Sequence, residues 1–280
     1  FEFDLFVYWI RERERVRCAK EAGSPKPWSD DPLLRDYRFC NVRRLDDRVS
    51  RWLFDHWYGG EHADPVAAAA LARLVNWPDA LREIAPGRRF VSADIRRARR
   101  ILQKRADSGL KVFTGAYVIP GVAGRKKVDS VCDLVDAVAC ALREDSMKTM
   151  WLKLTAYDGL GGFLAGQMVA DLSHLHIGRS WPDRDTWAPL GPGSARGINR
   201  LRGQQKDTPL RQGDFEDLLE ALTAVTLPAV ADIWTDRRLQ AMDLQNCLCE
   251  FDKYRRLQRG EGKVRARYPG EAAAPQRVLL

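Results

Sequence analysis

Three stretches of this chain carry residue types and spacings suited to chemistry. The first is Gly159-Leu160-Gly161, a Gly-x-Gly turn followed by Gly162 and a run in which Leu160, Phe163, Leu164, Met168, Leu172 and Leu175 recur at helical spacing. A turn of this kind leaves N–H groups unpaired at a helix start, where they can hold a phosphate. Glycine is needed because a Cβ would block the close approach of the backbone. An ordinary helical hairpin with a glycine connection accounts for the same residues. The second stretch, residues 25–48, packs Trp28, Tyr37, Phe39, Asn41, Arg43, Arg44, Asp46, Asp47 and Arg48 together. Aromatics can stack on a base, arginines hold phosphate and Asn can read a base edge. A buried salt-bridge network is the alternative. The third stretch, residues 181–201, holds Asp183 and Asp185 about twenty residues after the Gly-x-Gly turn. It continues into Gly191-Pro192-Gly193-Ser194 with Arg196, which makes either a plain turn or an anion nest. Near the C-terminus, Glu250 and Lys253 fall three apart on a helical pattern, where a salt bridge is the simplest account.

The elements that must position these residues are helical. Leu5, Tyr8, Trp9 and Val16 mark a first helix ending at Gly23. Asp31-Pro32 is a cap with Pro at the first helical position. Val49, Trp52, Leu53 and Trp57 mark a helix closing at Gly59-Gly60, and Asp64-Pro65 opens another. Caps are expected at Ser92, Ser130 and Ser146. Residues 111–119 form a short strand or an extended linker. The glycines and prolines of 189–197 argue against a long regular helix there. Helical patterns through Ile233 and Trp234, and through Leu244, Leu248, Phe251 and Tyr254, complete the chain.

The sequence has 46 Lys and Arg against 38 Asp and Glu, a net charge of +8. This balance favours a polyanionic partner, nucleic acid ahead of membrane. The longest apolar run is far below the roughly 18 residues a membrane span requires. The first residues carry Glu2, Asp4 and a charged RERER run rather than a leader. Six scattered cysteines without a C-x-x-C pair fit a reduced cytoplasmic protein.

The hairpin Asp158-Gly159-Leu160-Gly161-Gly162 with Asp185-Thr186 resembles the helix-hairpin-helix DNA glycosylase superfamily. The runs WIRERERVR, PKPWSDDPLLRDYRFCNVRRLDDRVSRW, DGLGGFLAGQMVADL, WAPLGPGSARGINRL and LCEFDKYRRLQRGEGK span nearly the whole chain. In that order they are similar to the alpha-glutamyl/putrescinyl thymine pyrophosphorylase family of bacteriophage DNA hypermodification. The resemblance implies an all-α, two-lobed glycosylase-like fold with a cleft between the lobes. Residues 1–280 would form one catalytic unit. One lobe would span about 92–202, the other 1–91 with 213–259, and 260–280 would be a loose basic tail.

The implied reaction is on double-stranded DNA whose 5-hydroxymethyluracil has been pyrophosphorylated by a hydroxymethyluracil DNA kinase. An amino acid or polyamine replaces the pyrophosphate. By the same resemblance Asp185 occupies the position of the glycosylase acid, with Asp183 a close competitor. Asn41, Arg43, Arg44, Arg48 and Trp28 would hold the base and pyrophosphate, and Glu250 with Lys253 would close the pocket or bind the amine. Gly159, Gly161 and Gly162 would hold the DNA backbone; Gly191, Gly193, Ser194 and Arg196 would form an anion loop. No cofactor is expected, and a divalent ion on the pyrophosphate is left open. A glycosylase excising a modified thymine or uracil, and a non-catalytic DNA-binding protein, are the alternatives.

Overall fold

The computed structural model describes residues 2–58, 64–84, 94–116, 118–119, 121–139, 144–234, 239–261 and 267–268. The fold is all-α. Among the described residues there is no strand, and the antiparallel pairing of Tyr37 with Arg267 is an isolated bridge.

Helix α1 (Glu2–Glu21) buries Phe6, Trp9, Ile10 and Val16 and ends before Gly23, whose φ of +70° suits glycine. Asp31 caps α2 (Pro32–Asp36), accepting from the N–H of Leu33 at 2.8 Å, and Pro32 occupies the first turn where no N–H is needed. The other oxygen of Asp31 accepts from the hydroxyls of Tyr254 at 2.7 Å and Tyr8 at 3.3 Å. One aspartate thus ties α2 to α1 and to the C-terminal helix. A short 3₁₀ turn (Arg44–Asp46) leads to α3 (Arg48–Trp52), which runs on as a π-helical turn, Leu53–Trp57.

Helix α4 (Pro65–Val75) is buried along its whole length, and its alanine run lets neighbours approach from several sides. Around it lie α5 (Pro78–Ile84), α6 (Ile95–Asp107), α7 (Lys127–Ala139), and the hairpin of α8 (Met147–Thr155) and α9 (Gly162–Leu172). α4 packs on α7 and α9, α6 on α5 and α7, and α8 on α9. Helix α10 (Pro192–Leu201) lies along α12 (Ala241–Gln258), and α1, α2 and α11 (Gln212–Ala229) pack on α12 as well. One apolar cluster joins residues of both groups.

An ion pair sits inside this core. Arg73 of α4 donates from Nε to Asp171 of α9 at 2.6 Å, and Tyr58 donates to the same oxygen at 2.7 Å. Arg73 also donates to Ser50 at 3.1 Å. Burial without partners would be costly for either charge, and each is matched here.

Several expectations are corrected. Residues 111–119 do not form a strand where they are described; the extended-linker reading holds, with one bond from Thr114 N–H to the Val75 carbonyl at 3.0 Å. Ser130 lies inside α7, not at its cap, and Ile233 lies in a turn after α11. The Gly/Pro-rich segment enters a ten-residue helix, α10. The caps at Asp31, Asp64 and Ser146 are made as expected. The Gly59-Gly60 closure and the Ser92 cap fall outside the described residues. Helix α4 packs on α7 and α9, and the glycines of α10 fit against α12. Within the expected loose tail, Arg267 and Tyr268 are docked: the Tyr268 N–H donates to the Asp36 carbonyl at 2.9 Å.

Candidate nucleic-acid site

The polar loop before α3 is built on a buried arginine. Arg13 of α1 is 4% exposed and donates to the carbonyls of Cys40 at 3.0 Å and Phe39 at 3.1 Å, and to Oδ1 of Asn41. The Asn41 amide nitrogen donates to the Asp46 carbonyl at 2.6 Å. Both ends of the Asn41 side chain are therefore spent on folding the loop. Arg43 donates to Asp46 at 2.7 Å, with both buried, and its guanidinium lies 5.3 Å from the Trp234 ring. Arg44 reaches α9 through a 2.5 Å bond to Gln167, and its N–H donates to Asp243 at 2.9 Å. Burial raises the carboxyl pKa of Asp243 and of Asp47, opposed by the backbone donors of Arg44, Gln240 and Asn41.

Glu250 and Lys253 are paired at 3.1 Å, the salt bridge that their spacing allowed. The pair also anchors the loop: Glu250 accepts from the Cys40 N–H at 3.0 Å, and Lys253 donates to the Arg38 carbonyl at 2.5 Å. Arg48 differs from its neighbours. It makes no hydrogen bond or ion pair among the described residues.

Arg48 faces a cavity of about 410 Å³. Its walls come from α1 (Arg17, Lys20), from Asn41 and Asp46, from α3 and the π-helical turn (Trp52, Asp55, His56), and from Trp77 and Arg82 across the gap. Trp52 and His56 lie 5.4 Å apart, and the Arg82 guanidinium is 5.6 Å from the Trp52 ring. Aromatic faces and cations on one concave wall suit a planar base with phosphate attached. The π-helical turn brings Asp55 and His56 to that wall beside Trp52; such turns recur at functional sites.

The α8–α9 hairpin has the local geometry that the Gly-x-Gly pattern implies. Gly159 has φ +90°, and Leu160 is buried as the plug of the turn. Gly161 is the exposed N-cap residue of α9, with open space where a Cβ would lie, and no side chain caps the helix. Gly162 has a different reason to be glycine. A Cβ there would lie 3.0 Å from the Trp151 ring, whose Nε1 donates to the Gly162 carbonyl at 3.0 Å.

The two aspartates separate. Asp183 accepts from the N–H of Met147 at 2.8 Å and of Lys148 at 2.9 Å. It caps α8 and so positions the hairpin. Asp185 is partly exposed in the turn that follows. The expected anion loop is a helix start instead. Ser194 Oγ accepts from the Gly191 N–H at 3.0 Å, the half of a capping box that a glycine N-cap allows. Arg196 and Arg200 are bonded to Asp252 at 2.8 and 2.9 Å, and Asp252 is 1% exposed. Gly193 and Gly197 face α12: a Cβ on Gly193 would sit 3.0 Å from the Cys249 sulfur, and one on Gly197 would collide with the Leu248 carbonyl. These glycines serve close helix packing.

Residues 2–264 match a family model described as "5-hmdU DNA kinase, helical domain". The chain belongs to the 5-hmdU DNA kinase helical-domain family. It is 27% identical over 227 residues to the 5-hmdU DNA kinase of Bacillus phage SP10, covering 70% of this chain and 35% of that protein. The chain thus spans about a third of the relative it matches. No solved structure matches it. The resemblance to phage thymine hypermodification proteins is therefore right at the level of a hydroxymethyluracil-modification family.

No helix among the described residues is long and apolar enough to cross a membrane. Sequence reading assigned Trp52 to packing and missed His56, Trp77 and Arg82 as walls of the cavity. A signal existed in the Trp52-x-x-x-His56 spacing, which puts both rings on one helical face. Trp77 and Arg82 belong to a different part of the chain and carried none.

Proposed function

We propose that this chain acts on hydroxymethyluracil-derived bases in double-stranded DNA, drawing the base out of the duplex into the cavity beside Arg48. The observation that carries this reading is the family match over residues 2–264, joined to a cavity walled by Trp52, His56, Trp77 and an Arg48 unpaired among the described residues. A base inside a duplex cannot be reached, so an enzyme that modifies it must extrude it. The exposed Gly161 turn is suited to the flanking phosphates, with Gly159 and Gly162 shaping it.

The reaction is exchange of pyrophosphate for an amine at the exocyclic carbon of the base. The amine nitrogen bonds to that carbon as the carbon–oxygen bond breaks, and pyrophosphate leaves with the electron pair. A carboxylate takes the ammonium proton; Asp55 lines the cavity, whereas Asp185, the candidate from the resemblance, is not among its walls. Arg48, unpaired among the described residues, would neutralise the leaving oxygens. The co-substrate is an amino acid or polyamine.

A second reading follows from the relative's own name and the third of its length that is matched. Here the helical domain presents the hydroxymethyl group of the extruded base to a phosphoryl donor. Mass spectrometry of nucleosides separates the two. DNA carrying 5-hydroxymethyluracil, with or without prior pyrophosphorylation, is incubated with the protein, nucleoside triphosphate, and a pool of amino acids and polyamines. A base heavier by one amine, with pyrophosphate released, is the expected result. Added phosphate supports the second reading. Abasic sites would replace both with a glycosylase.

A further inference from the structure

Trp28 and Tyr268 meet edge to face, with ring centroids 5.5 Å apart and planes at 77°. Three cations cover this pair. Lys20 Nζ lies 5.2 Å from the Trp28 ring and 5.0 Å from the Tyr268 ring. Lys26 Nζ lies 5.2 and 5.7 Å from the same two rings, and the Arg38 guanidinium is 5.8 Å from Tyr268. Such contacts are individually weak at exposed sites, so they offset the mutual repulsion only in part.

Elsewhere on α1 the pattern is different. Arg15 pairs with Glu12 at 2.6 Å, and Arg17 with Glu14 and Glu21 at 2.5 Å each. Lys20 and Arg38 have no carboxylate in contact among the described residues. Beneath the loop, the Nη1 of buried Arg13 has no hydrogen-bond partner among the described residues. Burial lowers the Lys20 pKa, and so does the combined charge of Arg13, Arg38 and Lys26. The charges of Lys20 and Arg38 are thus gathered over two rings rather than matched by acids.

The placement gives the cluster a direction. Lys20 also lines the cavity that holds Arg48. Tyr268 is brought to Trp28 by the Tyr37–Arg267 backbone bridge and the bond from the Tyr268 N–H to the Asp36 carbonyl, with a 2.6 Å side-chain bond from Arg267 to the Tyr37 hydroxyl beside them. A C-terminal residue therefore completes a site on the N-terminal loop.

We infer that the Trp28–Tyr268 pair with Lys20, Lys26 and Arg38 is a phosphate-binding site at the edge of the base cavity. It deepens the proposed function, resting on a phosphate-bearing substrate but not on amine transfer. The phosphate comes either from the DNA strand beside the extruded base or from a pyrophosphate group. Trp28 acts here as a platform for cations, not as a stacking surface for the base.

The test compares the full chain with a Lys20→Ala/Arg38→Ala variant and, separately, with Tyr268→Ala. Their melting temperatures are measured first; Lys20 and Arg38 are exposed, so the double variant is expected to fold. Binding of a short unmodified duplex is followed against salt, and inorganic pyrophosphate binding by calorimetry. Loss of about two strand phosphates lowers the slope of log affinity against log salt by about 1.8. That result assigns the site to the strand. An unchanged DNA slope with pyrophosphate binding weakened about tenfold or more, a loss of about 1.4 kcal/mol, assigns it to pyrophosphate. Both readouts unchanged in a folded double variant overturn the site. Neither depends on turnover, so absence of amine transfer would leave the result intact. Tyr268→Ala should follow the double variant in direction with a smaller effect; a Tyr268→Phe variant retains binding because the ring remains.

Discussion

Asp183 accepts from the Met147 N–H at 2.8 Å across a gap of 36 residues, while its other oxygen accepts from the N–H of Lys148. The residue that sequence reading placed beside the reacting group is the clasp of α8. Asp183→Ala should lose about 0.5–2 kcal/mol, the usual effect of removing a helix cap. Asp55→Asn, on the wall of the cavity, should keep its melting temperature and lose turnover. Denaturant melts and single-turnover assays on both variants test this. Full turnover in Asp55→Asn would remove the carboxylate role.

Two glycines at helix positions should respond in opposite ways. At Gly161 a Cβ meets open space, so Gly161→Ala should fold normally and bind DNA less tightly, its methyl group standing where a phosphate would approach. At Gly197 a Cβ collides with the Leu248 carbonyl, so Gly197→Ala should lose about 1–3 kcal/mol through overpacking. Unaltered DNA affinity in Gly161→Ala would argue against the hairpin as a phosphate contact.

The Arg73–Asp171 pair is buried on both sides. Asp171→Ala leaves a charged guanidinium in the core and should cost about 3–5 kcal/mol. The double variant Arg73→Met/Asp171→Leu should cost markedly less, since no charge remains unmatched. A double-mutant cycle by chemical denaturation measures the difference. Equal losses in the two would show that packing, not charge, governs the site.

Acid sensitivity should centre on Glu261. Hydrogen bonds from Arg200, then Lys206, hold its carboxyl down to about 2. A folded-state value below the unfolded one means stability is present above the unfolded value of 4.5 and is lost as pH falls toward 2. Glu261→Gln should flatten the stability profile across that window and leave the slope at higher pH unchanged. The same slope in variant and parent between those two values would exclude this linkage.

Much of the helix pattern was legible because its causes are local. Asp31-Pro32, Asp64-Pro65 and Ser146 are capping signals that act within one turn, and each starts a helix. The α8–α9 hairpin follows from the positive φ of Gly159 and the apolar spacing of α9 in the same way. Local reading failed at Gly191–Gly197, where glycine content argued against a helix. There the compensating contact is α12, an element distant in the chain.

The sequence by itself determined the all-α class, most of the helix starts, the basic balance and the set of polar residues to watch. Only the tertiary structure decided what those residues do. Asn41, Arg43 and Asp183 have the chemistry of a binding site, yet their polar atoms are taken up by Arg13, Asp46 and the α8 backbone. Arg48 has the same chemistry and stays unpaired among the described residues, lining one cavity with Trp52 and Trp77. The physical reason is that a polar side chain acts on a ligand only with hydrogen-bonding capacity left over. Which groups retain it depends on partners brought together by folding from distant parts of the chain.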